Sequence, residues 1–533
     1  MGRKIPMWQC LVTILFTIIV LMYCLGVLGE IFGDAFACGY GEVHIALLTS
    51  CVFAALVAEF NGYKWAFLEA GILASINRSM QAILILLLVG CLIGAWIAGG
   101  IVPAMIYYGL MLLKPSIFLF AACLLCMIVS LATGSSWTTA GTIGIALIGV
   151  GTGLGISQAW TAGAIVSGAY FGDKMSPLSD TTNLAPAMAG ATLFDHIRHM
   201  IWTVTPSICI ALVIYLIYGI KNSGGSGNLD VVESMKTVLT ADFNINPALL
   251  IPPLVVILIV AMKLPALPGL MAGTILGMIF GSIFQGIPLA DWPGLVHYGF
   301  EFSTFSDAFT QAQTATNTTF LDMANDEFAK FAAANNLSPD VIAEYNVDSL
   351  MNGKGGMSSM LWTVNLILCA MCFGGVMDAS GMLGTLAKAM LKLGKGVGGL
   401  VTITIVSCFF MNVIAGDQYL AIVLPGRMYK EAFEDYHLAP RNLSRCLEDS
   451  GTVTSNLIPW NTCGATMHKF LGVPQWGKGG YAPHAYLSLL NPLVSIFYGF
   501  TGISMLKMTD AEYEACMVQR AKDKEEALKA AQA

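Results

Sequence analysis

The stretch Tyr170–Pro186, YFGDKMSPLSDTTNLAP, sets two carboxylates (Asp173, Asp180), a lysine, two serines, two threonines and an asparagine inside a strongly apolar chain. Gly172, Pro177 and Pro186 are expected to prevent one uninterrupted helix, since proline lacks the amide donor and clashes with the preceding turn. At membrane depth, freed backbone groups persist only where protein or a water-filled cavity satisfies them. A broken, polar, carboxylate-bearing segment between apolar runs therefore marks an ion or substrate site in a transporter. On a single helix Asp173 and Asp180 would share a face, but Pro177 lies between them and leaves their separation open. The competing reading is a cytoplasmic loop with solvated charges.

The rest of the chain favours the first reading. Of 533 residues, 56% are hydrophobic and 11% charged, and the mean hydropathy is +0.72. Soluble proteins carry about a quarter charged residues, so this is an integral membrane protein. The 56 glycines suit close helix packing and broken helices in a bilayer. The net charge of −7 says little, because the placement of Lys and Arg in loops decides orientation. No basic arm or aromatic-interleaved patch points to nucleic acid. Cys123/Cys126 and Cys369/Cys372 have CxxC spacing, but they fall in apolar runs with no second ligand pair, which favours packing over zinc or redox work. Gly151-Thr-Gly153-Leu-Gly155 follows no strand, so it fails the context that dinucleotide binding requires.

Apolar windows of roughly spanning length lie near 8–28, 43–60, 81–101, 117–133, 138–156, 197–219, 247–263, 266–284, 359–378, 399–415, 450–470 and 484–505. Shorter pieces near 102–113, 160–171 and 418–430 suit half-helices or re-entrant hairpins. The expected fold is an all-α polytopic membrane protein of about 11–13 transmembrane segments, with inverted repeats, broken helices and re-entrant hairpins. The N-terminal half, 1–284, holds a first repeat made of a broken helix at 117–156 and a polar hairpin at 160–192. An acidic insertion follows at 285–358, then a C-terminal half, 359–506, with a second repeat at 412–466, and a tail at 507–533.

Orientation follows the excess of Lys and Arg on the cytoplasmic side. Arg3 and Lys4 put the N-terminus inside, and the 29–42 loop, with Asp34 and Glu42 but no base, outside. Between Asp291 and Asp348 there are nine acids and one base, Lys330, which reads as an extracytoplasmic insertion. Lys388, Lys392 and Lys395 return the chain inside, and both termini are expected to be cytoplasmic.

The repeat is read from Asn183-Leu184-Ala185-Pro186 against Asn456-Leu457-Ile458-Pro459, with Thr181-Thr182 against Thr454-Ser455. Upstream of each lies a polar break, Thr133–Thr139 in the first half and Asn412–Gln418 in the second. Asp449, with Ser450, Thr452, Thr454 and Asn456, forms the second polar cluster. Asp417 sits at a helix break. Arg427 lies in a mostly apolar segment and calls for a partner, Asp417 or Asp449. His196 and His199, beside Asp195, suit an interface, with pH sensing as the alternative. Carboxylates with hydroxyl and carbonyl oxygens are hard ligands for a hard cation such as Na⁺. A carboxylate in low dielectric is also a proton carrier.

Three segments carry a resemblance to a known family: GSSWTTAGTIG (Gly134–Gly144), GDKMSPLSDTTNLAP within the opening stretch, and EDSGTVTSNLIPWNTCG (Glu448–Gly464). They resemble the NhaC family of bacterial Na⁺/H⁺ antiporters, and the match runs over most of the apolar chain. That family includes a malate–proton/sodium–lactate antiporter, so the resemblance leaves small organic acids open beside Na⁺ and H⁺. It implies two re-entrant hairpins and two broken helices around the site, with Ser/Thr-Asn loops on Na⁺, here Thr181-Thr182-Asn183 and Thr454-Ser455-Asn456. It also implies an inner-membrane location and a homodimer as the common assembly. The acidic insertion is longer than the resemblance leads one to expect.

The expected function is exchange of Na⁺ for H⁺ by alternating access. The ion-binding and proton-exchange residues are Asp173, Asp180, Thr181, Thr182, Asn183, Ser135, Ser136, Asp417, Asp449, Thr454, Ser455 and Asn456. Na⁺ itself is expected at Asp180, Asn183, Thr454 and Asn456. The alternative is organic-acid antiport, for which Arg427 and Lys174 are the candidate cations. The GxGD motif of intramembrane aspartyl proteases is absent at Asp173 and Asp417, and no ATP-binding loop appears. A transporter driven by an ion gradient, with no cofactor and no enzymatic activity, is the reading carried forward.

Overall fold

A computed structural model describes residues 2–24, 43–222, 228–262, 266–301, 305–316, 318–323, 325–352 and 355–532. These are helical, with no strand among them beyond an isolated bridge between Leu438 and Lys507. Eight helices are long and apolar enough to cross a bilayer, from Met7–Cys24 to Gly396–Ala415. A ninth results if Asp230–Asp242 and Pro247–Ile259, which meet at 98°, count as one span. Leu15, Val52, Leu56, Ile128 and Ile217 on these helices are exposed, as a lipid-facing surface requires. The chain is a multi-pass membrane protein. Its 29–42 loop, with Asp34 and Glu42, lies outside the described residues.

Some expected spans take other forms, for local reasons. The 138–156 window is divided by a π turn at Ala140–Gly144. The 484–505 window becomes Tyr486–Thr501, a helix of 16 residues. The 450–470 window is no span: a π turn at Glu448–Thr452 and a 3₁₀ turn at Ser455–Leu457 lead to a reversal, and the helix Thr462–Leu471 follows. Hydroxyl side chains drive this, because Thr454 and Ser455 donate to the backbone carbonyls of Ser450 and Thr452 (both 2.6 Å) and so compete with regular helix.

Two broken helices and two hairpins form the centre. The first broken helix runs Pro115–Thr133, breaks at Gly134–Ser135 and resumes at Ser136–Thr139. The second runs Gly396–Ala415, breaks at Gly416–Asp417 and resumes at Gln418–Asp435. Each break has a left-handed glycine, φ +67° at Gly134 and +64° at Gly416, a conformation that glycine adopts without penalty. An extended capping residue follows, Ser135 or Asp417, and its side chain accepts from the amide three residues on, Thr138 (3.1 Å) or Leu420 (3.0 Å).

The first hairpin is Gln158–Met175, a turn through Ser176–Ser179, and Asp180–Ala189, closed by left-handed Gly190. The second begins at Pro440–Leu447 and returns through Thr462–Leu471, closed by left-handed Gly472. One constant offset pairs Gly134 with Gly416, Ser135 with Asp417, Ser179 with Asn461, and Gly190 with Gly472. The bonding repeats in the same register. Ser130 donates to the Ala169 carbonyl, and Asn412, the counterpart of Ser130, donates to that of Gly451 (2.8 Å), the counterpart of Ala169. This register differs from the one drawn through the two Asn-Leu-x-Pro segments, which would pair Asn183 with Asn456 at a shorter offset. Asn183 lies in the returning arm of its hairpin, whereas Asn456 precedes the reversal in the other.

The units interlock crosswise. The returning arm of the first hairpin packs on the resumed half of the second broken helix, and that of the second hairpin packs on the π turn of the first. Gly172 is no breaker. It lies inside Gln158–Met175, where an added Cβ would collide with the Leu131 amide nitrogen, so it permits close helix contact. Pro186 is likewise inside the helix Asp180–Ala189, and the break falls at Ser176–Ser179 alone.

The acidic insertion is helical, with Phe309, Phe320, Phe328, Val341 and Tyr345 forming a small core of its own. Its last helix, Pro339–Met351, packs on the helix Asn228–Asp242. There burial pushes the Asp348 carboxyl up from 3.8 to about 6, against the opposing hydrogen bond from Asn352. A raised acid costs stability once ionised: the native state binds the proton more tightly, so stability falls as pH rises from about 4 through 6. Asp348→Asn removes that cost. Its gain in thermal stability, followed by unfolding of the purified protein, is therefore expected to be larger at pH 8 than at pH 5.

Candidate functional site

The tip of the first hairpin rests against the break of the first broken helix. A Cβ on Gly134 would meet Leu178 Cβ at 2.7 Å and the Ser179 nitrogen at 2.9 Å, so the break and the tip touch through backbone. This contact brings Ser136, at the start of the resumed helix, to the carboxylate of Asp173. Ser136 Oγ donates to Asp173 Oδ2 at 2.6 Å, and Ser179 Oγ to Oδ1 at 2.7 Å. Thr181 Oγ1 lies 3.2 Å from Ser179 Oγ. Asp173 is 7% exposed, and Ser136, Ser179 and Thr181 are buried. The result is one carboxylate within a cradle of three hydroxyls.

The neighbouring polar residues of this hairpin hold it in shape. Thr182 Oγ1 donates to the carbonyls of Asp173 and Lys174, 2.9 Å each, closing the end of the first arm. Asn183 is exposed, and its amide donates to the carbonyls of Pro177 and Ser179 across the turn. Ser135 caps the resumed helix. Asp180 is exposed at the start of the returning arm, where the Tyr419 hydroxyl of the second broken helix reaches its carboxylate.

In the second repeat the expected ligands are engaged elsewhere. Thr454 donates to the Ser450 carbonyl and accepts from Asn412 (3.2 Å). Asn456 donates to the Val453 carbonyl (2.8 Å) and to Ser488 (3.0 Å), and its own carbonyl accepts from Tyr481 (2.6 Å). Asp180 and Asn183 are thus exposed on one hairpin while Thr454 and Asn456 are buried within the other. These four do not converge on one position. The structural register of the repeat explains why: it sets Asp173 opposite Ser455 and Ser136 opposite Gln418, so the second repeat has no carboxylate where the first carries its own. Asp417, 4% exposed, serves its break as a helix cap.

Asp449 occupies a different setting, fully buried and bonded to Lys174, itself fully buried. Arg445 Nε lies 3.7 Å from its second oxygen, and Thr203 and Asn491 donate to the first at 2.9 and 2.7 Å. A carboxylate held by two cations and two neutral donors is compensated and unsuited to a third cation. Arg445 is the buried arginine that the sequence did not reveal. Arg427 is exposed and lines a surface cavity of about 740 Å³ with Lys430, Arg441 and Arg520, and no ion pair joins it to Asp417 or Asp449 among the described residues. His196 and His199 are buried, with His196 Nδ1 2.8 Å from Ser444 Oγ.

One further acid belongs to the site. Glu448, on the π turn of the second hairpin, is fully buried, and neither carboxylate oxygen has a hydrogen-bond partner. Its surroundings are Lys174, Asp173, Thr452 and Thr181. The hydroxyls of Thr452 and Thr181 approach without hydrogen-bond geometry, and that of Thr452 is unpaired as well. Two adjacent acids in EDSGT gave no means of choosing between them, because neighbours on a helix point about 100° apart and the cations that claim Asp449 come from distant sequence.

Removing one partner of a buried pair leaves the other charge uncompensated, at a cost of about 3–5 kcal/mol. Asp449→Asn is therefore expected to lower the thermal stability of the purified protein sharply. Lys174→Met combined with Asp449→Asn should recover part of that loss. An Asp449→Asn protein as stable as the original would show that the pair is not what holds the hairpins together.

Residues 168–319 and 294–503 match the model of the Na⁺/H⁺ antiporter family. The Na⁺/H⁺ antiporter NhaC of Alkalihalophilus pseudofirmus is 35% identical over 467 residues, 87% of this chain and 92% of that protein. The malate-2H⁺/Na⁺-lactate antiporter of Bacillus subtilis is 35% identical over 460 residues, 86% and 89% of the two chains. The arginine/ornithine antiporter ArcD of Halobacterium salinarum is 34% identical over 474 residues, 88% and 89%.

Proposed function

The chain belongs to the Na⁺/H⁺ antiporter family, and from that premise we propose that it exchanges Na⁺ for H⁺ at Asp173. The observation that carries this reading is the buried Asp173 carboxylate between Ser136 and Ser179, where helix break and hairpin tip meet. A hydroxyl both donates and accepts. With Asp173 ionised and no cation present, Ser136 and Ser179 point their protons at it. When Na⁺ enters, the same hydroxyls rotate and present lone pairs, with Thr181 as a further oxygen. Carboxylate and hydroxyl oxygens are the hard ligands a hard cation takes.

A proton and Na⁺ then compete for one carboxylate. An ionised, unpartnered Asp inside a membrane protein is unfavourable by roughly 2.5–3.5 kcal/mol on insertion scales, so the site moves loaded with one ion or the other. That rule alone converts movement of the site into exchange. No group beyond the transported ions is required. Asp180 stands at the start of the hairpin's returning arm and Asp417 caps the resumed half of the second broken helix, and Asp449, with Lys174 and Arg445, ties the two hairpins together so that they move as one body.

The wider reading places the protein in a bacterial plasma membrane, both termini cytoplasmic, its repeats inverted and two copies paired. Relatives described as malate/lactate and arginine/ornithine antiporters keep organic solutes as a second reading. An organic anion calls for a free cation at the site. Lys174 and Arg445 are the cations buried there among the described residues, and both face Asp449, which favours plain ion exchange.

In proteoliposomes, Na⁺ added alone is expected to drive proton movement, with no organic acid present. Asp173→Asn should abolish it while the protein still inserts. Ser136→Ala removes one oxygen ligand and should raise the apparent KM for Na⁺ roughly tenfold, the equivalent of about 1.4 kcal/mol. Ordinary Na⁺-driven proton flux in Asp173→Asn would overturn the assignment, and a strict requirement for malate or lactate would favour the second reading.

A further inference from the structure

We propose that the C-terminal tail is a latch: it splints the corner that joins the second broken helix to the second hairpin, and while Arg520 is engaged it slows transport. The proposal needs a transporter of this family, whichever carboxylate carries the ion.

The corner is the link 436–439 between Gln418–Asp435 and Pro440–Leu447. His437 there has φ +57°, a left-handed conformation that costs a side-chain-bearing residue free energy and clusters at switch regions. The returning arm of the first hairpin, Asp180–Ala189, packs against both limbs that leave the corner. A Cβ on Gly426 would meet Met188 of that arm at 2.8 Å and Leu447 of the other limb at 3.0 Å. The angle of the corner therefore sets the position of the arm that begins at Asp180. Asp449, held by Lys174 and Arg445, joins the two hairpins, so the link is where the joined hairpins meet the second broken helix.

The tail leaves the last apolar helix, Tyr486–Thr501, and is bonded on both sides of this corner. On the hairpin side, Arg445 donates to the Ser504 carbonyl (3.2 Å) and hydroxyl (3.1 Å), and Asn442 donates to the Leu506 carbonyl (2.7 Å). At the link, the Met508 amide donates to the His437 carbonyl and the Ala439 amide to that of Leu506, 2.9 Å each. The Tyr513 ring stacks on His437 with centroids 3.8 Å apart. On the broken-helix side, Arg520 donates to Glu431 and to Asp435 (2.7 Å), with Glu434 3.8 Å away.

The two ends of the splint differ in kind. Arg445 and Asn442 are fully buried, whereas the side chains of Glu431 and Asp435 are 52% and 61% exposed. Ion pairs so exposed are weak and screened by salt. The tail helix Asp510–Gln532 has no broad packing against another helix among the described residues. The cavity of about 740 Å³ lies between its Cys516 and Arg520 and the limbs at Glu434 and Pro440. The outer end is therefore the one that opens. Rising salt frees Arg520, the corner flexes, and the arm at Asp180 moves more readily.

The test uses the full-length protein in proteoliposomes, with Na⁺-driven proton flux followed at fixed pH while choline chloride is raised equally on both sides. The original protein is expected to speed up with salt. Arg520→Ala should be about threefold faster at low salt, as the loss of an exposed ion-pair network allows, with an unchanged KM for Na⁺ and no further response to salt. A rate in Arg520→Ala at or below that of the original, or the same salt response in both, overturns the proposal. A covalent lock gives a second reading. The Cys516 thiol lies against Glu434, so Glu434→Cys should form a disulfide with it under copper–phenanthroline. That bridge is expected to stop flux and dithiothreitol to restore it, while the oxidant leaves the original protein active. A bridge that does not form, or that leaves flux unchanged, overturns the latch. Hydrogen exchange of the tail amides separates this claim from the antiport reading, because it needs no flux. Exchange should quicken with salt in the original protein and be fast at every salt in Arg520→Ala, and equal exchange in the two overturns the latch even where Na⁺ alone drives no protons.

Discussion

A charge buried in a membrane protein has to be neutralised, and the centre of this protein is arranged around that requirement. Asp449 meets it permanently, through Lys174 on the other hairpin and Arg445 one turn back on its own. Asp173 meets it only in part, through two hydroxyl donors, and neither oxygen of Glu448 has a hydrogen-bond partner among the described residues. The contrast sorts three acids of similar burial into two kinds. A compensated acid fixes structure, and an uncompensated one must be completed by something that comes and goes.

The frame that holds these acids is built from backbone constraints. Gly134 and Gly416 turn the chain in the left-handed region, Ser135 and Asp417 cap the resumed helices, and Ser130 and Asn412 tie each broken helix to its own hairpin. Each break leaves helix ends that carry partial charge, and the tips of the hairpins lie against them. Gly172 and Gly168 bring the first hairpin against the first broken helix so closely that a methyl group would collide with backbone at Leu131 or Cys123. Close packing of this sort makes each repeat a stiff unit.

Much of this was legible in the sequence. Composition gave the class, and the opening polar stretch gave the first hairpin, on which Asp173 is buried. The polar breaks at Thr133–Thr139 and Asn412–Gln418 gave the two broken helices. What misled was side-chain identity. The Asn-Leu-x-Pro pair suggested one repeat offset, while the repeated features, glycines with positive φ and the capping residues beside them, keep a longer one that pairs Gly134 with Gly416. The family resemblance set Asn183 and Asn456 together as Na⁺ ligands, although one staples an exposed turn and the other is spent on Val453 and Ser488. Gly172 and Pro186 read as breakers, yet both sit inside helices because neighbouring helices define what a glycine or proline is for. Lys174, Arg445 and Glu448 could not be sorted, since Lys174 and its partner Asp449 are far apart in the chain and only the crossing of the hairpins brings them together.

The central claim is that Na⁺ and the proton compete for buried carboxylate at one site, and equilibrium binding tests it without any transport assay. Calorimetric titration of Na⁺ into the purified protein, repeated across a pH series with proton release followed by a dye, reads both halves of the competition. While the site is protonated, each unit rise in pH should tighten Na⁺ binding by about tenfold per proton displaced, as linkage requires, with protons released on binding. At higher pH, where the carboxylate is already ionised, affinity should level off and release should cease. Na⁺ affinity that is the same at every pH, with no proton released, would contradict the account.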